Sequence, residues 1–168
     1  MSNNVFYWEI GRLLSVFKGV NQLSIDAKGR VALPVKYRDM LSSLCEGRLV
    51  ATIDTQWKCL LIYPQPAWEI IEAELQALPA LKPASRRLQR LLLGYASDLE
   101  FDGSGRVLLP QSLREYAGLV REEKLTLVGQ GKRMELWNEN TWQAENLVWL
   151  DEAKDDPMVA DELASISL

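Results

Sequence analysis

The sequence predicts a mixed β/α protein, mainly β, in which two copies of one half-barrel unit share a core and helices flank them. The first observation is an internal repeat, because residues 23–38 and 99–114 align at a constant offset of 76 with eight identities in sixteen positions. The second is that each copy has short alternating apolar segments separated by turn residues, as strands do. A unit of about 50 residues is too small to bury its own sheet, so we expect the two units to complete each other.

Each copy begins with a strand, a four-residue turn and a second strand. Asp in the first position of the turn can accept hydrogen bonds from backbone N–H groups, and Gly in the fourth tolerates a positive φ. A proline then opens a short helix, because proline suits the first helical turn. The predicted elements are residues 23–25, 26–29 and 30–33 with Pro34 in the first copy, and 99–101, 102–105 and 106–109 with Pro110 in the second.

Two further strands and a helix complete each copy. The strands are predicted at 49–53 and 59–63, and at 125–128 and 134–137, with residues 129–131 as the turn of the second hairpin. The helices are predicted to begin at Pro66, with Trp68, Ile71, Leu75 and Leu78 at helical spacing, and at Thr141 as an N-cap. Residues 85–96 are predicted to form a bridging helix whose inward face is Leu88, Leu91, Leu92 and Tyr95. Arg86, Arg87 and Arg90 are grouped together on it.

Composition excludes several classes of chemistry. The 168-residue chain has no histidine, which excludes Ser-His-Asp and Cys-His catalysis and His-ligated zinc, haem and iron. Cys45 and Cys59 cannot close a zinc site alone. They are predicted to be buried apolar side chains of a reducing compartment, with a structural disulfide as the alternative. No cofactor fingerprint is present. We therefore expect no catalytic residue, no metal, no cofactor and no small-molecule substrate.

The net charge of −4 argues at first sight against a nucleic-acid partner, but the charge is unevenly placed. Residues 151–168 hold six carboxylates and one lysine, a net charge of −5, whereas residues 1–150 hold 18 basic and 17 acidic side chains, a net charge of +1. The acidic tail is broken by Pro157 and is expected to fray. Net charge therefore does not exclude DNA.

Hydropathy gives no sign of a membrane partner. The longest apolar runs, residues 59–63 and 91–93, fall far short of the roughly 18–20 residues that a spanning helix needs. The N-terminus lacks the basic start, apolar middle and cleavage site of a secretion signal. We expect a soluble cytoplasmic protein.

Both copies carry the motif Asp-x-x-Gly-Arg-[hydrophobic]-x-Leu-Pro-x-x-x-Arg, accompanied by segments such as residues 17–19, 90–94, 113–118 and 134–137. The motif resembles the SpoVT/AbrB superfamily of DNA-binding folds, and its tandem arrangement is similar to the MraZ family of bacterial transcriptional regulators. The resemblance runs from residue 17 to residue 145. It implies a swapped-hairpin (double-split) β-barrel formed by two tandem AbrB-like repeats within one chain, with flanking helices.

The resemblance also implies a domain organisation and a function. The expected divisions are an N-terminal extension (1–16), repeat 1 (17–66), a helical bridge (67–95), repeat 2 (96–139) and a C-terminal helix with the acidic tail (140–168). The chain would form a ring-shaped homo-oligomer and bind double-stranded DNA at short repeated sites upstream of an operon for cell division and wall synthesis, repressing its own promoter. Its implied location is cytoplasmic and nucleoid-associated.

The family's DNA-contacting arginine corresponds to Arg30, and the repeat partner of that residue is Arg106. Lys28 lies beside Arg30 where the second turn has Ser104, so the first copy is the expected reader of DNA. Lys18 and Lys36 are nearby in sequence and are further candidates for DNA binding. The residues expected to shape the turns are Asp26 and Gly29 in the first copy, and Asp102 and Gly105 in the second.

A simpler interpretation of Arg30 and Arg106 is that they form only intra-turn ion pairs with Asp26 and Asp102. Exposed ion pairs of this kind contribute about 0–1 kcal/mol to the free energy of unfolding. The competing function is a protein-interaction barrel, antitoxin-like or scaffolding, that binds a protein through its edge strands and acidic tail. Salt-insensitive behaviour and the absence of promoter binding would favour it.

Five further arginines have open interpretations. Arg38 and Arg114 follow the two prolines and would be solvated, position phosphate or form ion pairs across the pseudo-twofold. Arg86, Arg87 and Arg90 would form a phosphate-binding patch, be solvated, or pair with a neighbouring subunit.

Residues 1–15 depart from the family pattern, in which a Met-Phe pair stands near the position of Val16 and Phe17. One interpretation is that Met1 is an over-extended start and that Val16 is the true initiation site, since a GTG codon can initiate. The other is a real segment that packs Phe6, Tyr7 and Trp8 on the barrel. A native N-terminal peptide containing Tyr7 or Trp8 would exclude the first interpretation.

Overall fold

The computed structural model describes residues 16–166, so both interpretations of residues 1–15, and the segment with Phe6, Tyr7 and Trp8, lie outside the described residues. The described residues form eight strands and six helices. The strands are β1 (Phe17–Ser24), β2 (Arg30–Ala32), β3 (Arg48–Ile53), β4 (Cys59–Pro64), β5 (Ser97–Glu100), β6 (Arg106–Leu108), β7 (Lys124–Gly131) and β8 (Arg133–Asn138). The helices are α1 (Val35–Cys45), α2 (Gln65–Gln76), α3 (Pro83–Leu92), α4 (Gln111–Ala117), α5 (Glu139–Asp155) and α6 (Pro157–Ala164).

The two repeats exchange their first strands. Six strands form one antiparallel sheet in the order β1-β7-β8-β4-β3-β5, while β2 and β6 form a separate two-stranded ribbon. Strand β1 of the first repeat pairs with β7 of the second, and β5 of the second pairs with β3 of the first. The registers are equivalent, because Leu23 lies opposite Leu125 and Leu99 lies opposite Leu49.

The repeat offsets locate a pseudo-twofold axis. In the ribbon, Val31 lies opposite Val107, its own counterpart at offset 76. In the large sheet, Leu61 lies opposite Glu135, its counterpart at offset 74. A residue that pairs with its own counterpart lies next to the symmetry axis. The axis therefore passes through the ribbon, and this sets the two Asp-Gly-Arg turns side by side.

The mixed, mainly β architecture with two tandem repeats agrees with the sequence prediction, but a closed barrel is not formed by backbone pairing. In residues 16–166 the six-stranded sheet ends at β1 and β5, which do not pair with each other. One isolated bridge, between Ile25 and Val31, links the sheet to the ribbon.

The main core lies between the large sheet, the ribbon and the short helices that follow the prolines. Val31 and Val107 are buried in it from the ribbon, and Tyr37 of α1 and Leu113 of α4 from the helices. A second cluster covers the other face of the sheet, where Trp68 and Leu75 of α2 pack on Val50, Leu61 and Tyr63. The predicted apolar face of α2 is thus confirmed. Cys45 and Cys59 are buried free thiols, as expected, and burial raises the pKa of both.

The hairpin predicted at residues 129–131 is present, but its turn lies further along the chain. Gln130 lies opposite Arg133, so the chain reverses at Gly131 and Lys132, and Gly131 has φ +74°. Gly129 is instead a strand residue opposite Gly19 of β1, and a Cβ there would overlap the backbone of Phe17 and Lys18. The glycine therefore permits close approach of two strands rather than a turn.

The bridging helix α3 is shorter than predicted. It ends at Leu92 rather than at residue 96, and Leu88, predicted to face inward, is 40% exposed. Hydrogen bonds fix the helix to its neighbours: Gln89 donates to the carbonyl of Leu75 at 2.9 Å, and Thr52 donates to the carbonyl of Leu92 at 2.7 Å. Polar anchors thus orient α3 and leave Leu88 on the surface.

The C-terminal region is helical. Asp155 ends α5, and Pro157 begins α6 instead of merely breaking the chain. Trp149 of α5 packs edge-to-face against Trp57, Trp137 and Trp142, with ring centroids 5.0 to 5.9 Å apart. No helix in residues 16–166 has the length and apolar character needed to cross a bilayer.

The N-cap of α5 is Asn138 and not Thr141 as predicted. The Asn138 side chain accepts hydrogen bonds from the backbone N–H groups of Asn140 and Thr141, and its amide donates to the Gly118 carbonyl at 3.0 Å. Strand β8 leads directly into the helix, so the helix begins at Glu139 and Thr141 lies inside it.

We expect Asn138→Ala to lower the free energy of unfolding by about 1 kcal/mol, because two N–H groups and one carbonyl lose their partner. Thr141→Ala, the matched control, leaves the cap intact. Urea unfolding of both variants measures the difference. Equal losses would contradict the assignment of the cap.

Candidate nucleic-acid interface

The first turn is organised by the carboxylate of Asp26. Its Oδ1 atom accepts hydrogen bonds from the backbone N–H groups of Lys28 and Arg30, both at 2.9 Å. Its Oδ2 atom accepts one from Nε of Arg30 at 2.7 Å. The turn closes when the N–H of Gly29 donates to the Asp26 carbonyl at 3.0 Å, with Gly29 at φ +84°.

The second turn repeats this geometry. Oδ1 of Asp102 accepts from the backbone N–H groups of Ser104 and Arg106 at 2.9 and 3.0 Å. Oδ2 of Asp102 accepts from Nε of Arg106 at 2.8 Å, and Gly105 has φ +72°. Both arginines are therefore held by Nε, and their terminal amino groups remain for other partners.

The ribbon brings the two arginines together. Arg30 lies opposite Leu108, and Ala32 lies opposite Arg106, so these four residues share one face while Val31 and Val107 face the core. Nη1 of Arg106 lies 3.9 Å from Oδ2 of Asp26, across the ribbon. The Arg30 and Arg106 side chains are 27% and 33% exposed. One outward surface thus carries both guanidinium groups.

Each turn is also supported by an arginine from the other repeat. Arg114 lies against Gly29, where a Cβ would be 3.0 Å from its Nε, and it donates to the carbonyl of Leu109 at 3.1 Å. Arg38 lies against Gly105 in the equivalent way. These residues do cross the pseudo-twofold, but among the described residues neither forms an ion pair with a carboxylate there. They pack on glycine instead.

The five cationic candidates separate into two groups. Lys28 is exposed in the first turn, two residues before Arg30. Nζ of Lys36 lies 3.4 Å from the carbonyl of Lys18 and 4.8 Å from the centre of the Tyr37 ring. Lys18 is seven residues of extended chain from Ile25, which is roughly 20 Å at about 3.3 Å per residue. The structure thus brings Arg30 and Arg106 together, keeps Lys28 in the turn of Arg30, and places Lys18 and Lys36 at the far end of β1.

The turn carboxylates are acidic for a structural reason. The N–H of Arg30 makes the largest contribution to holding the pKa of Asp26 below its usual value, and the side chain of Arg30 and the N–H of Lys28 add to it. The N–H of Arg106 has the same effect on the pKa of Asp102. In both turns these hydrogen bonds outweigh partial desolvation. The carboxylates therefore stay ionised and keep the arginines in place.

This geometry predicts that the protein loses folding stability in acid. Because the native pKa values of Asp26 and Asp102 lie below the unfolded value of about 3.9, the native state binds fewer protons. The stabilisation is complete above the unfolded pKa and is lost as pH falls through the native pKa. We expect the urea midpoint of Asp26→Asn/Asp102→Asn to fall less steeply than that of the parent between about pH 5 and pH 2.5. Parallel curves would contradict this origin of the pKa shifts.

The repeated turns, exchanged strands and shared ribbon define a class of tandem-repeat β/α protein that presents paired arginine turns on one surface. A family profile described as "MraZ protein, putative antitoxin-like" matches the chain in two successive segments, residues 16–91 and 92–147. The chain belongs to the MraZ family.

Several curated relatives span nearly the same length. "Transcriptional regulator MraZ" of Alkalilimnicola ehrlichii is 55% identical over 153 residues, which cover 91% of this chain and 100% of the relative. The proteins of the same name from Halorhodospira halophila and Coxiella burnetii are 51% and 50% identical, again over 91% of this chain and 100% of each relative.

Sequence reasoning named the turn residues but missed the packing role of Arg38 and Arg114. Each follows its turn glycine by nine residues in its own repeat, so no local pattern links it to the turn of the other repeat. The only available signal was the motif itself, which ends in Arg in both copies.

Proposed function

We propose that this protein is a sequence-specific DNA-binding transcriptional regulator that contacts double-stranded DNA through the paired turns of the β2–β6 ribbon. The observation that carries the proposal is the placement of Arg30 and Arg106 on one outward face, each held at Nε by its own aspartate. The name of the curated relatives supports the regulatory role.

The shape of the site suits DNA. The major groove admits a two-stranded β-ribbon, and an arginine can bind O6 and N7 of guanine with two hydrogen bonds. With Nε of Arg30 bonded to Asp26 at 2.7 Å, the guanidinium is oriented before DNA arrives. Pre-orientation reduces the side-chain entropy lost on binding, and a partly exposed ion pair is worth only about 0–1 kcal/mol, so DNA can compete with it.

We assign the reading role chiefly to the first turn. Lys28 adds a cation beside Arg30, whereas the second turn has Ser104 at that position. Arg106 would then act as a second DNA contact or as the partner that positions Asp26. Lys18 and Lys36, roughly 20 Å along β1, are proposed to contact phosphate, which carries no sequence information.

We further propose that the chain acts as a ring-shaped homo-oligomer on tandem promoter repeats and represses its own division and cell-wall operon in the cytoplasm, at the nucleoid. Residues 1–150 carry a net charge of only +1, so one copy should bind one site weakly. Several turns on one assembly bind repeated sites together if the spacing matches, which multiplies the affinity.

The exchange of β1 and β5 between the repeats supports a swapped-hairpin organisation within one chain. In this proposal the units are repeat 1 (17–66) and repeat 2 (96–139), joined by the helical bridge (67–95) and followed by the C-terminal region (140–168). Each half would complete the sheet of the other, as expected for units too small to fold alone.

Gel shifts on the DNA upstream of the protein's own gene test the function. We expect specific binding to DNA with the repeats intact, much weaker binding when one repeat remains, and a steep loss with added salt because counterions are released from phosphate. Salt-insensitive behaviour with no shift of this DNA would favour the competing protein-interaction module. Footprinting on the same fragment then locates the sites.

A further inference from the structure

Helix α3 presents an uncompensated basic surface. Lys82, Arg86 and Arg90 are spaced by four residues, so they share one side of the helix, and Arg87 lies beside them. All four are exposed, and no carboxylate of residues 16–166 forms an ion pair with any of them. The surface also has an apolar part, because Leu81 is 93% exposed and Leu88 is 40% exposed.

The C-terminal helices present the complementary surface. Asp155, Asp161 and Glu162 are exposed and have no cation partner in the described part of the chain. Helix α6 buries none of its residues, and Met158, Leu163 and Ile166 leave large apolar groups in solvent. An amphipathic helix with no buried residue gains little from folding by itself, so its apolar face is available to a partner surface.

We propose that α6 and the end of α5 of one copy dock on α3 of a second copy of this chain. Acidic side chains would meet Arg86, Arg87 and Arg90, and the exposed apolar residues of the tail would cover Leu81 and Leu88. The opposite charges are both present in every copy, and within residues 16–166 of one copy they do not pair with each other. Two different surfaces meet in this contact, so the copies associate head-to-tail. If the rotation from each copy to the next adds up to a full turn, the copies form a closed ring.

This inference rests on the proposed homo-oligomer and gives it a specific contact. It excludes the use of α3 as a phosphate-binding surface, since the acidic tail of the neighbour would occupy it. It is independent of the DNA-reading role of Arg30, because α3 and the ribbon are different elements.

Charge reversal with mixing tests the contact. One variant reverses the basic surface (Arg86→Glu/Arg87→Glu/Arg90→Glu), and the other reverses the tail (Asp155→Lys/Asp161→Lys/Glu162→Lys). Asp156 is left unchanged because it caps α6, accepting from the N–H of Met158 at 2.8 Å. The control reverses three exposed cations elsewhere (Arg121→Glu/Lys124→Glu/Lys132→Glu). Circular dichroism checks that each full-length variant is folded.

Light scattering measures the mass of each sample. We expect the parent and the control to be multimeric at low salt, and each reversed variant to fall toward the single-chain mass of 19.1 kDa. An equimolar mixture of the two reversed variants should recover the parental mass, because each surface then meets an oppositely charged one on the other chain. Recovery on mixing requires contact between copies, since pairing within one chain gains nothing from mixing.

Three results would overturn the proposal. They are a monomeric parent, folded reversed variants that keep the parental mass, and a mixture that stays at the single-chain mass. If the basic-surface variant keeps its mass but loses DNA binding to a single site, α3 is a phosphate-binding surface instead. The DNA proposal is tested by a different variant and a different measurement. If it fails, Arg30→Ala binds DNA as the parent does, whatever the masses of the charge-reversed variants.

Discussion

Replacing Arg30 with alanine is expected to weaken binding to a single promoter site by about 5- to 150-fold, because a two-bond contact between arginine and guanine contributes about 1–3 kcal/mol of discrimination. The loss should be larger on repeated sites, since each copy in the assembly loses the same contact. Fluorescence anisotropy on labelled promoter DNA measures both constants. Light scattering should show an unchanged mass, because Arg30 is on the ribbon and its main contact is within its own turn.

Three companion variants separate charge from geometry. Arg30→Lys keeps the charge but loses the two-bond contact and the Nε bond to Asp26, so it should bind DNA in general while losing preference for the specific site. Arg106→Ala is expected to have a smaller effect than Arg30→Ala, since its turn lacks a neighbouring lysine. Lys154→Ala removes an exposed cation of α5, away from the ribbon, and should bind like the parent. Parental affinity in Arg30→Ala would refute the assignment of the reading residue.

Replacing Gly105 with alanine is expected to lower the free energy of unfolding by more than about 1–2 kcal/mol. That range is the usual cost of a left-handed backbone for a residue with a Cβ, and Gly105 has φ +72°. The added Cβ would also overlap the Arg38 side chain from the other repeat. Chemical denaturation of the full-length protein gives the value.

Gly103→Ala is a matched control two residues away. No atom lies within 4 Å of the Cβ position at Gly103, and its φ is not positive, so little change is expected. The double variant Gly105→Ala/Arg38→Ala tests the contact between repeats: the overlap is removed, so its loss should be smaller than the sum of the single losses. If the two losses simply add, the Arg38 side chain does not contribute to the cost of the Cβ added at Gly105.

Local chemistry accounts for the parts of the site that could be predicted. Asp26, Gly29 and Arg30 lie within five residues, and the bonds that join them need no other segment of the chain. The same holds for the apolar face of α2, since helical spacing alone places Trp68 and Leu75 together. Predictions failed where a local signal met a distant partner, as at Gly129, which resembles a turn residue but lies against β1.

By itself the sequence determined the repeat, the fold class, the chemistry of each turn and the family to which the motif points, because these depend on residues close together in the chain. Only the tertiary structure decided that β1 and β5 change places between repeats, that Val31 pairs with its counterpart Val107, and that Arg30 and Arg106 share one surface. The reason is that strand partners and register follow from burying two apolar faces against each other across some 75 residues of chain, and no local pattern records which face meets which.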